Sequence, residues 1–334
     1  MTEPGVVRGT HATVPDERNR DIVVYVNGEW LPRDEAVISV YDSAFLVGDG
    51  VWEGMRIHNG VYAHLDRHLD RLFATADAVG LDIGMDRDEV TDLLHEVARR
   101  NQMSSDAHVR LMITRGTKKT PSQDPRLVVG GPNIVVIAEH KVADPTVAAE
   151  GITLQPSSIR RPPPDSLDQR WNCHSKLHEV VALIQAFDAG ADEALMLDQN
   201  GFVATCNATN FFMVRDGEVW TSTGEHCLHG ITRGLVIELA RKAGRVAHEA
   251  DFTLDDVYAA DESFVTGTFG ALTPVTAVDG HTIGSGEPGP VTSELRQLYQ
   301  EAIQYVSQKV PRESSEEAGP QRTIGDGAGG PDHR

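Results

Sequence analysis

Residues 170–210 read RWNCHSKLHEVVALIQAFDAGADEALMLDQNGFVATCNATN, and the pattern predicts a helix followed by a strand, a turn and a returning strand. Apolar residues recur at helical spacing at Leu177, Val180, Ile184 and Phe187. Ser175 is a suitable N-cap, and Ala189-Gly190 is a typical helix end. Lys176 is therefore predicted in the first helical turn.

The segment after this helix is predicted to return the chain to the beginning of the helix. Residues 193–198 form a short apolar strand, Gln199-Asn200-Gly201 forms a turn, and residues 211–214 belong to the returning strand. Residues 205–210 are consequently predicted near Lys176, and the whole stretch is predicted to form the wall of a pocket.

Several phrases of this region carry a family likeness. They are GADEALMLDQNGFVA (190–204), NATNFFMVRDGEVWTS (207–222), HGITRG (229–234) and, earlier, GDGVWEGMR (48–56). In order and spacing they resemble the fold-type IV (class IV) family of pyridoxal 5′-phosphate (PLP) enzymes. That family includes branched-chain and D-amino acid aminotransferases and aminodeoxychorismate lyases. The resemblance extends from about residue 24 to about residue 306.

The resemblance implies the fold. A small N-terminal α+β domain joins a larger C-terminal α/β domain, as in D-amino acid aminotransferases, with PLP in the cleft between the domains. The expected division is a flexible arm (1–21), the small domain (22–155), a linker (156–171), the large domain (172–309) and a disordered tail (310–334). Membership also implies a homodimer.

Periodicity and turn residues predict the elements of the small domain. The predicted strands are 23–26, 29–31, 36–40, 51–58, 107–114 and 133–139, and the predicted helices are 64–79 and 86–100. In the large domain, residues 232–243 and 291–306 are predicted as helices and residues 262–266 as a strand.

Composition limits the classes of partner. The formal charge of −20 disfavours nucleic acid and anionic membranes, and no apolar run reaches the roughly 18 residues of a membrane span. An odd number of cysteines, three, favours reduced thiols in a cytoplasmic protein. No His, Cys and carboxylate spacing is typical of a metal site.

The resemblance implies a cradle for the PLP phosphate. Ile231 and Thr232 open a predicted helix, whose first N–H groups and dipole attract an anion. Gly267 and Thr268 follow a predicted strand on another side of the cradle. The family's arginine in an HLDRL-type helix matches Arg71.

PLP also requires a lysine that holds its aldehyde and shuttles a proton, and here the chain departs from the family. The family's lysine position holds Asn172, and Lys176 occupies a tyrosine position that borders the same part of the cofactor. Our hypothesis is that the Schiff-base lysine has moved to Lys176. The alternative is a surface lysine that happens to start a helix.

A second departure concerns the pyridine nitrogen of PLP. The family places a glutamate four residues after the turn glycine, and this chain has Thr205. A hydroxyl can donate to a neutral nitrogen but cannot stabilise a positive charge there, so transamination is expected to be slower or the chemistry different. Arg56 is expected on the substrate side as a contact for an anion.

Three functions remain open. The first is a PLP-dependent aminotransferase for a small amino acid and a 2-oxo acid, of branched-chain or D-amino acid type. The second is a PLP-dependent lyase of the aminodeoxychorismate lyase type. The third is a homologue that binds PLP or another ligand and has lost transamination, because Asn172 and Thr205 both replace working residues.

Overall fold

The computed structural model describes residues 8–309 and contains two main β-sheets with eight α-helices among those residues. Residues 1–7 and 310–334 lie outside the described part of the chain, and with them part of the predicted arm and the whole predicted tail.

The strands in chain order are β1 (Thr13–Val14), β2 (Val23–Val26), β3 (Glu29–Pro32), β4 (Gly50–His58), β5 (Val61–Tyr62), β6 (Ala107–Thr114), β7 (Thr117–Lys118), β8 (Val128–Val129), β9 (Asn133–His140), β10 (Val142–Ala143), β11 (Ile152–Pro156), β12 (Glu193–Leu197), β13 (Val203–Cys206), β14 (Asn210–Arg215), β15 (Glu218–Thr221), β16 (Ala247–Glu249), β17 (Glu262–Gly267), β18 (Ala271–Val278) and β19 (His281–Thr282). The helices are α1 (Ser43–Val47), α2 (Leu65–Ala78), α3 (Arg87–Arg100), α4 (Pro145–Glu150), α5 (Leu177–Asp188), α6 (Ile231–Lys242), α7 (Leu254–Tyr258) and α8 (Pro290–Lys309).

The smaller sheet has six antiparallel strands in the order β3-β2-β9-β6-β4-β5. Strand β6 shows how it is built, because alternate residues of a strand point to opposite faces. Ala107, Val109, Leu111 and Ile113 are fully buried in the core that also contains apolar side chains of α2 and α3. The alternate residues of β6, which include His108 and Arg110, point to the opposite face of the sheet.

The larger sheet has nine strands in the order β13-β12-β11-β18-β17-β14-β15-β16, with β19 beside β18. Its central strands are apolar on both faces, as expected for a sheet that is covered on both sides. Phe211 and Met213 of β14 belong to one core, while Phe212 and Val214 belong to a second core shared with α6 and α8.

The expectation of a flexible arm is wrong for residues 8–21. Strand β1 pairs with β10, and the Thr10 backbone N–H donates to Glu193 Oε1 at 2.7 Å. The Thr10 hydroxyl donates to the same oxygen, so the arm satisfies a buried carboxylate. A segment with no hydrophobic periodicity is held here by polar contacts, which sequence periodicity does not reveal.

The expected boundary at residue 156 is also wrong, because β11 belongs to the larger sheet. Strand β11 pairs in parallel with β12 and β18, so the chain enters the larger sheet at Ile152. The expected linker continues this packing: the Arg161 backbone N–H donates to Leu197 O at 2.9 Å, and the Arg161 side chain is buried.

Two predicted segments contain apolar residues that the structure leaves exposed. Residues 36–40 form no strand, and Val37 and Val40 are exposed. Helix α5 exists as predicted, but its N-cap is Lys176, while Ser175 donates to Gly48 O. The four apolar residues that predicted this helix are at least half exposed, and the small residues Ala182 and Ala186 face the core instead.

Candidate active site

A cavity of about 360 Å³ lies between the two sheets. Trp52 of β4 and Arg110 of β6 line it from the smaller sheet, and Thr205 of β13 and Thr266 of β17 line it from the larger sheet. Seven of the eight predicted site residues line this cavity: Arg71, Lys176, Thr205, Ile231, Thr232, Gly267 and Thr268. Residues far apart in sequence thus meet in one interdomain cleft, as the resemblance implied.

One end of the cavity is formed by the N-terminus of α6. Gly230 is the N-cap of this helix and provides no capping side chain, so the first N–H groups stay available for a ligand. Gly230 is required by packing, because a Cβ there would collide with the carboxamide oxygen of Asn210. Asn210 Nδ2 in turn donates to Leu228 O at 3.0 Å and holds the preceding loop.

Gly267 and Thr268 complete this end. Gly267 ends β17, Thr268 follows it, and both line the cavity together with Ile231 and Thr232. Residues at the ends of two separate elements therefore line the same cavity, an arrangement that can bind a phosphate group through backbone N–H groups. We call this end, formed by Ile231, Thr232, Gly267 and Thr268, the anion cradle.

Arg71 borders the anion cradle but is already paired. Its Nε and Nη2 donate to the two oxygens of Glu53, each at 2.7 Å, and its Nη1 donates to His229 O at 3.0 Å. Glu53 is fully buried and also lies 2.7 Å from His68 Nδ1. Burial opposes ionisation of Glu53, but the charge of Arg71 and the bonds from His68 and Arg71 lower its pKa below the ordinary 4.5.

Arg56 is the one predicted site residue that does not line the main cavity. It lines a neighbouring cavity of about 10 Å³, together with Ile231, Thr232 and Thr268. Its guanidinium also lies 5.0 Å from the centroid of the Phe269 ring, and Phe269 lines the main cavity. The expected contact of Arg56 with a substrate anion stays a prediction.

The other end of the cavity contains Lys176. Its Nζ lies 3.4 Å from Glu179 Oε1, and its side chain is 24% exposed. The buried Arg161 donates from Nη1 to the same Glu179 oxygen at 2.5 Å. The ammonium is thus held at the cavity by a carboxylate that is itself fixed by a guanidinium.

Asn172 and Thr205 both line the cavity and are both engaged with the backbone. Asn172 Nδ2 donates to Trp52 O at 2.7 Å, and its Oδ1 is buried without a hydrogen-bond partner among residues 8–309. The Thr205 hydroxyl donates to Thr209 O at 2.8 Å. A role of Thr205 as donor to the pyridine nitrogen therefore stays a prediction, and it requires the hydroxyl to leave Thr209 O.

Residues that sequence reasoning missed form a third part of the wall. They are His11, Trp52, His108, Arg110, Arg161, Glu179 and Phe269. The charged residues of β6 gave a usable signal, because Arg110 and His108 interrupt an apolar strand at alternate positions. Glu179 stands three residues after Lys176, which is also visible in the sequence. Arg161 gave no signal.

Two cationic side chains, Arg110 and Lys141, lie beside the aromatic residues of this wall. We call this part of the wall the cationic wall. The Arg110 guanidinium lies 4.0 Å from the centroid of the Trp52 ring, and burial lowers the pKa of Arg110. Lys141 lies 4.7 Å from the Phe269 centroid. Burial, with Lys141 and Arg110 nearby, lowers the pKa of His108 to about 3, so its ring is neutral near pH 7.

Metal ligands, membrane-spanning helices and cysteines were the other features considered from the sequence. Within residues 8–309, no group of three or more His, Cys, Asp or Glu side chains is placed to hold a metal ion. No helix there has the length and apolar character needed to cross a membrane. Cys173, Cys206 and Cys227 are all free thiols.

The fold and the cavity define a class of protein: a two-sheet enzyme with an anion cradle at one end of an interdomain cleft and a lysine at the other. A family model described as class IV amino-transferase matches residues 50–278. The chain belongs to the class IV aminotransferase family.

Relatives and solved structures agree with this family. Branched-chain-amino-acid aminotransferase-like protein 1 of Arabidopsis thaliana is 38% identical over 300 residues, which cover 90% of this chain and 54% of the relative. D-alanine aminotransferase of Listeria monocytogenes is 31% identical over 295 residues, covering 84% and 96%. The chain spans about half the length of the two Arabidopsis relatives that it matches.

A similar solved structure is the branched-chain amino acid aminotransferase of T.th., called the T.th. enzyme below. In complex with N-(5′-phosphopyridoxyl)-L-glutamate it has a TM-score of 0.80 and 32% identity, covering 85% of this chain and 94% of that chain. The same enzyme is known with pyridoxamine 5′-phosphate and with 4-methylvaleric acid. The fold-type IV assignment is thereby confirmed.

Proposed function

We propose that this protein is a PLP-dependent aminotransferase that acts on an amino acid and a 2-oxo acid. The observation that carries the proposal is the meeting of the anion cradle and Lys176 in one cavity. The volume of about 360 Å³ suits a cofactor with a small substrate. Family membership and the phosphopyridoxyl ligand of the related T.th. enzyme support PLP as the cofactor.

The residues fit PLP at its phosphate. Ile231, Thr232, Gly267 and Thr268 would hold the phosphate through N–H groups and hydroxyls, and Arg71 borders them. When bound, PLP supplies an aldehyde that bonds amines and a ring that withdraws electrons from the Cα–H bond of an amino acid. The protein then has to orient the substrate and move one proton.

Lys176 is the group proposed for both covalent attachment and proton transfer. Its Nζ reaches the cavity wall, and Glu179 Oε1 lies 3.4 Å from it. Glu179 steadies the amine, and Arg161 fixes Glu179 because its guanidinium is buried and donates to the same oxygen. Asn172 has no ionisable group and cannot take this role.

The cationic wall is proposed to receive the substrate. Arg110 lines the cavity over the Trp52 ring, where a guanidinium can bind a carboxylate. The glutamate portion of one ligand of the T.th. enzyme and its 4-methylvaleric acid ligand are both carboxylic acids. Branched-chain and D-amino acid substrates both remain within this proposal, because relatives of both names match the chain.

Borohydride reduction followed by peptide mass mapping tests the proposal. The wild-type protein with PLP should absorb in the visible range, and reduction should fix a pyridoxyl mass on Lys176. Lys176→Ala should lose this adduct completely, because the other side chains at that end offer no amine. Lys242→Ala, at the last turn of α6, is the matched control and should keep the adduct. An adduct on another lysine would refute the role of Lys176.

A homodimer in the cytoplasm is part of the same proposal. Leu177, Val180, Ile184 and Phe187 form an apolar stripe on α5 that is at least half exposed in the single chain. The free cysteines support a reducing compartment. Sedimentation should give a dimer for the wild type and a monomer for Ile184→Glu with Phe187→Glu. Val246→Glu, at an equally exposed site, should remain dimeric.

A further inference from the structure

Asn172 carries a buried oxygen that has no partner in the described part of the chain. Only 2% of the residue is exposed. Its Nδ2 donates to Trp52 O at 2.7 Å, and its Oδ1 has no hydrogen-bond partner among residues 8–309. Trp52 O is a carbonyl oxygen that can only accept, so the nitrogen of the carboxamide has to face it. The unpaired atom of Asn172 is therefore the oxygen, which can only accept a hydrogen bond.

Strand β4 holds Asn172 in this orientation. The Trp52 backbone N–H donates to Asn172 O at 3.0 Å, and Val51 pairs with Cys173 in an isolated bridge. Trp52 is thus bonded to Asn172 through both its N–H and its carbonyl oxygen. Turning the carboxamide over would place Oδ1 against Trp52 O, and two acceptors repel each other. A partner for Oδ1 consequently has to come to the fixed side chain.

The main cavity offers space for that partner, because Asn172 lines it. Lys176 also lines the cavity, but its Nζ bonds to Glu179 Oε1 at 3.4 Å and not to Asn172. A buried amide oxygen that stays unpaired destabilises a protein, so such atoms are as a rule paired with water or a ligand. Water can donate to Oδ1 while the cavity holds solvent. A ligand that displaces this water has to bring a donor of its own.

Few groups of the proposed ligands can be this donor, and here the inference rests on the proposed function. The phosphate, the substrate carboxylate, the aldehyde of PLP and the carbonyl of a 2-oxo acid are acceptors near pH 7. The ring nitrogen and the ring hydroxyl are the same in the aldehyde and amine forms of the cofactor. The group that distinguishes the two forms is the amine of pyridoxamine 5′-phosphate (PMP). An ammonium group has three N–H donors and no acceptor.

We propose that Asn172 is a binding residue for the amino group of the ligand. Its Oδ1 accepts a hydrogen bond from the amine of PMP and from the amine of the amino acid substrate. An ammonium group forms a charge-assisted bond with a carbonyl oxygen, whereas an aldehyde or oxo group would set oxygen against oxygen. The site therefore binds the amine of each ligand pair more tightly than the corresponding oxo compound.

The test compares PMP with 4-deoxypyridoxine 5′-phosphate, which has a methyl group in place of the aminomethyl group. The two ligands share the phosphate, the ring nitrogen and the ring hydroxyl. Neither can bond covalently to a lysine, because neither has an aldehyde. Calorimetric titration of the full chain, freed of bound cofactor, gives both dissociation constants. The wild type should bind PMP about tenfold more tightly than the deoxy compound, and Asn172→Ala should lose most of this preference.

Thr205→Val is the matched control, because it removes the hydroxyl of another buried residue that lines the same cavity. It should keep the wild-type ratio of the two dissociation constants. An unchanged ratio in Asn172→Ala, or equal losses of affinity for both ligands, would overturn the proposal. Equal affinity of the wild type for the two ligands would overturn it as well, whether or not any variant folds.

Asn172→Asp provides an independent variant with an effect of opposite sign. A carboxylate keeps an acceptor at this position and adds a negative charge, so the preference for PMP should rise about threefold or more above the wild-type value. A preference at or below the wild-type value would contradict the proposal. If the wild type binds neither ligand, the proposed function fails. If it binds both without preference, the role of Asn172 fails while the proposed function stands.

Discussion

The two ends of the cavity differ in how closely their residues match the family. At the cradle end, the sequence matches the family and the structure assembles the expected groups: α6 begins at Ile231, and β17 leads into Thr268. Away from the cradle residues themselves, Asn172 and Thr205 depart from the family, and each is bonded to the backbone instead of serving as an ionisable group.

This difference shows that anion binding and covalent attachment depend on different features of the protein. Anion binding depends on backbone N–H groups and on glycines such as Gly230, so it requires a particular chain path. Covalent attachment depends on one amine, which any residue bordering the same space can supply. Lys176 stands four residues after Asn172, and both line the cavity, which fits the proposal that the amine has changed position while the cradle has not.

The largest effect is expected from breaking the Arg71–Glu53 ion pair beside the anion cradle. Glu53→Gln should lower the free energy of unfolding by about 3 kcal/mol, because it leaves the largely buried Arg71 without its counter-charge. The pKa of Glu53 is lowered in the folded state, so its contribution is present above pH 4.5 and is lost as pH falls below that value. Urea unfolding of both proteins at several pH values measures this difference.

Glu238→Gln is the control for that experiment. Its partner Arg67 and Glu238 itself are both more than 40% exposed, so the loss should stay below about 1 kcal/mol. Equal losses for the two variants would mean that the Arg71–Glu53 pair does not support the cradle end.

An intermediate effect is expected from restoring the family's carboxylate at position 205. Thr205→Glu should accelerate transamination about tenfold, because a carboxylate there can keep the pyridine nitrogen of PLP protonated. Without PLP the same variant should melt at a lower temperature, since the carboxylate then lies in a buried position. Stopped-flow single-turnover rates and melting curves with and without PLP test both parts.

Thr223→Glu adds the same charge at an exposed position and should change neither quantity. If Thr205→Glu is no faster than the wild type, Thr205 is not near the ring nitrogen.

The smallest effect is expected at Asn172. Asn172→Ala loses the hydrogen bond to Trp52 O but also removes a buried oxygen that has no partner among residues 8–309. The two changes oppose each other, so stability should fall by about 1 kcal/mol or less. Mass mapping should still find the pyridoxyl adduct on Lys176. Loss of the adduct would show that Asn172 positions the cofactor.

Sequence patterns predicted many of the longer elements, because these are set by local spacing. The helices α2, α3 and α6 and the strands β6 and β17 appear where periodicity placed them, within a residue or two. Failures occurred where tertiary contacts oppose the local pattern. Residues 8–21 are held by the buried Glu193, and the apolar stripe of α5 faces outward.

The sequence by itself determined the family, the cleft between two sheets and the residues expected in the anion cradle, because these depend on glycine turns, helix starts and motif order. Only the tertiary structure decided which charged side chains are paired with each other. It paired Arg71 with Glu53, buried Arg56 with its nearest carboxylate 3.7 Å away, and brought Arg161 and Glu179 to Lys176. The physical reason is that a charge is neutralised by its neighbours in space, and those neighbours can lie on different elements, as Glu53 of β4 and Arg71 of α2 do.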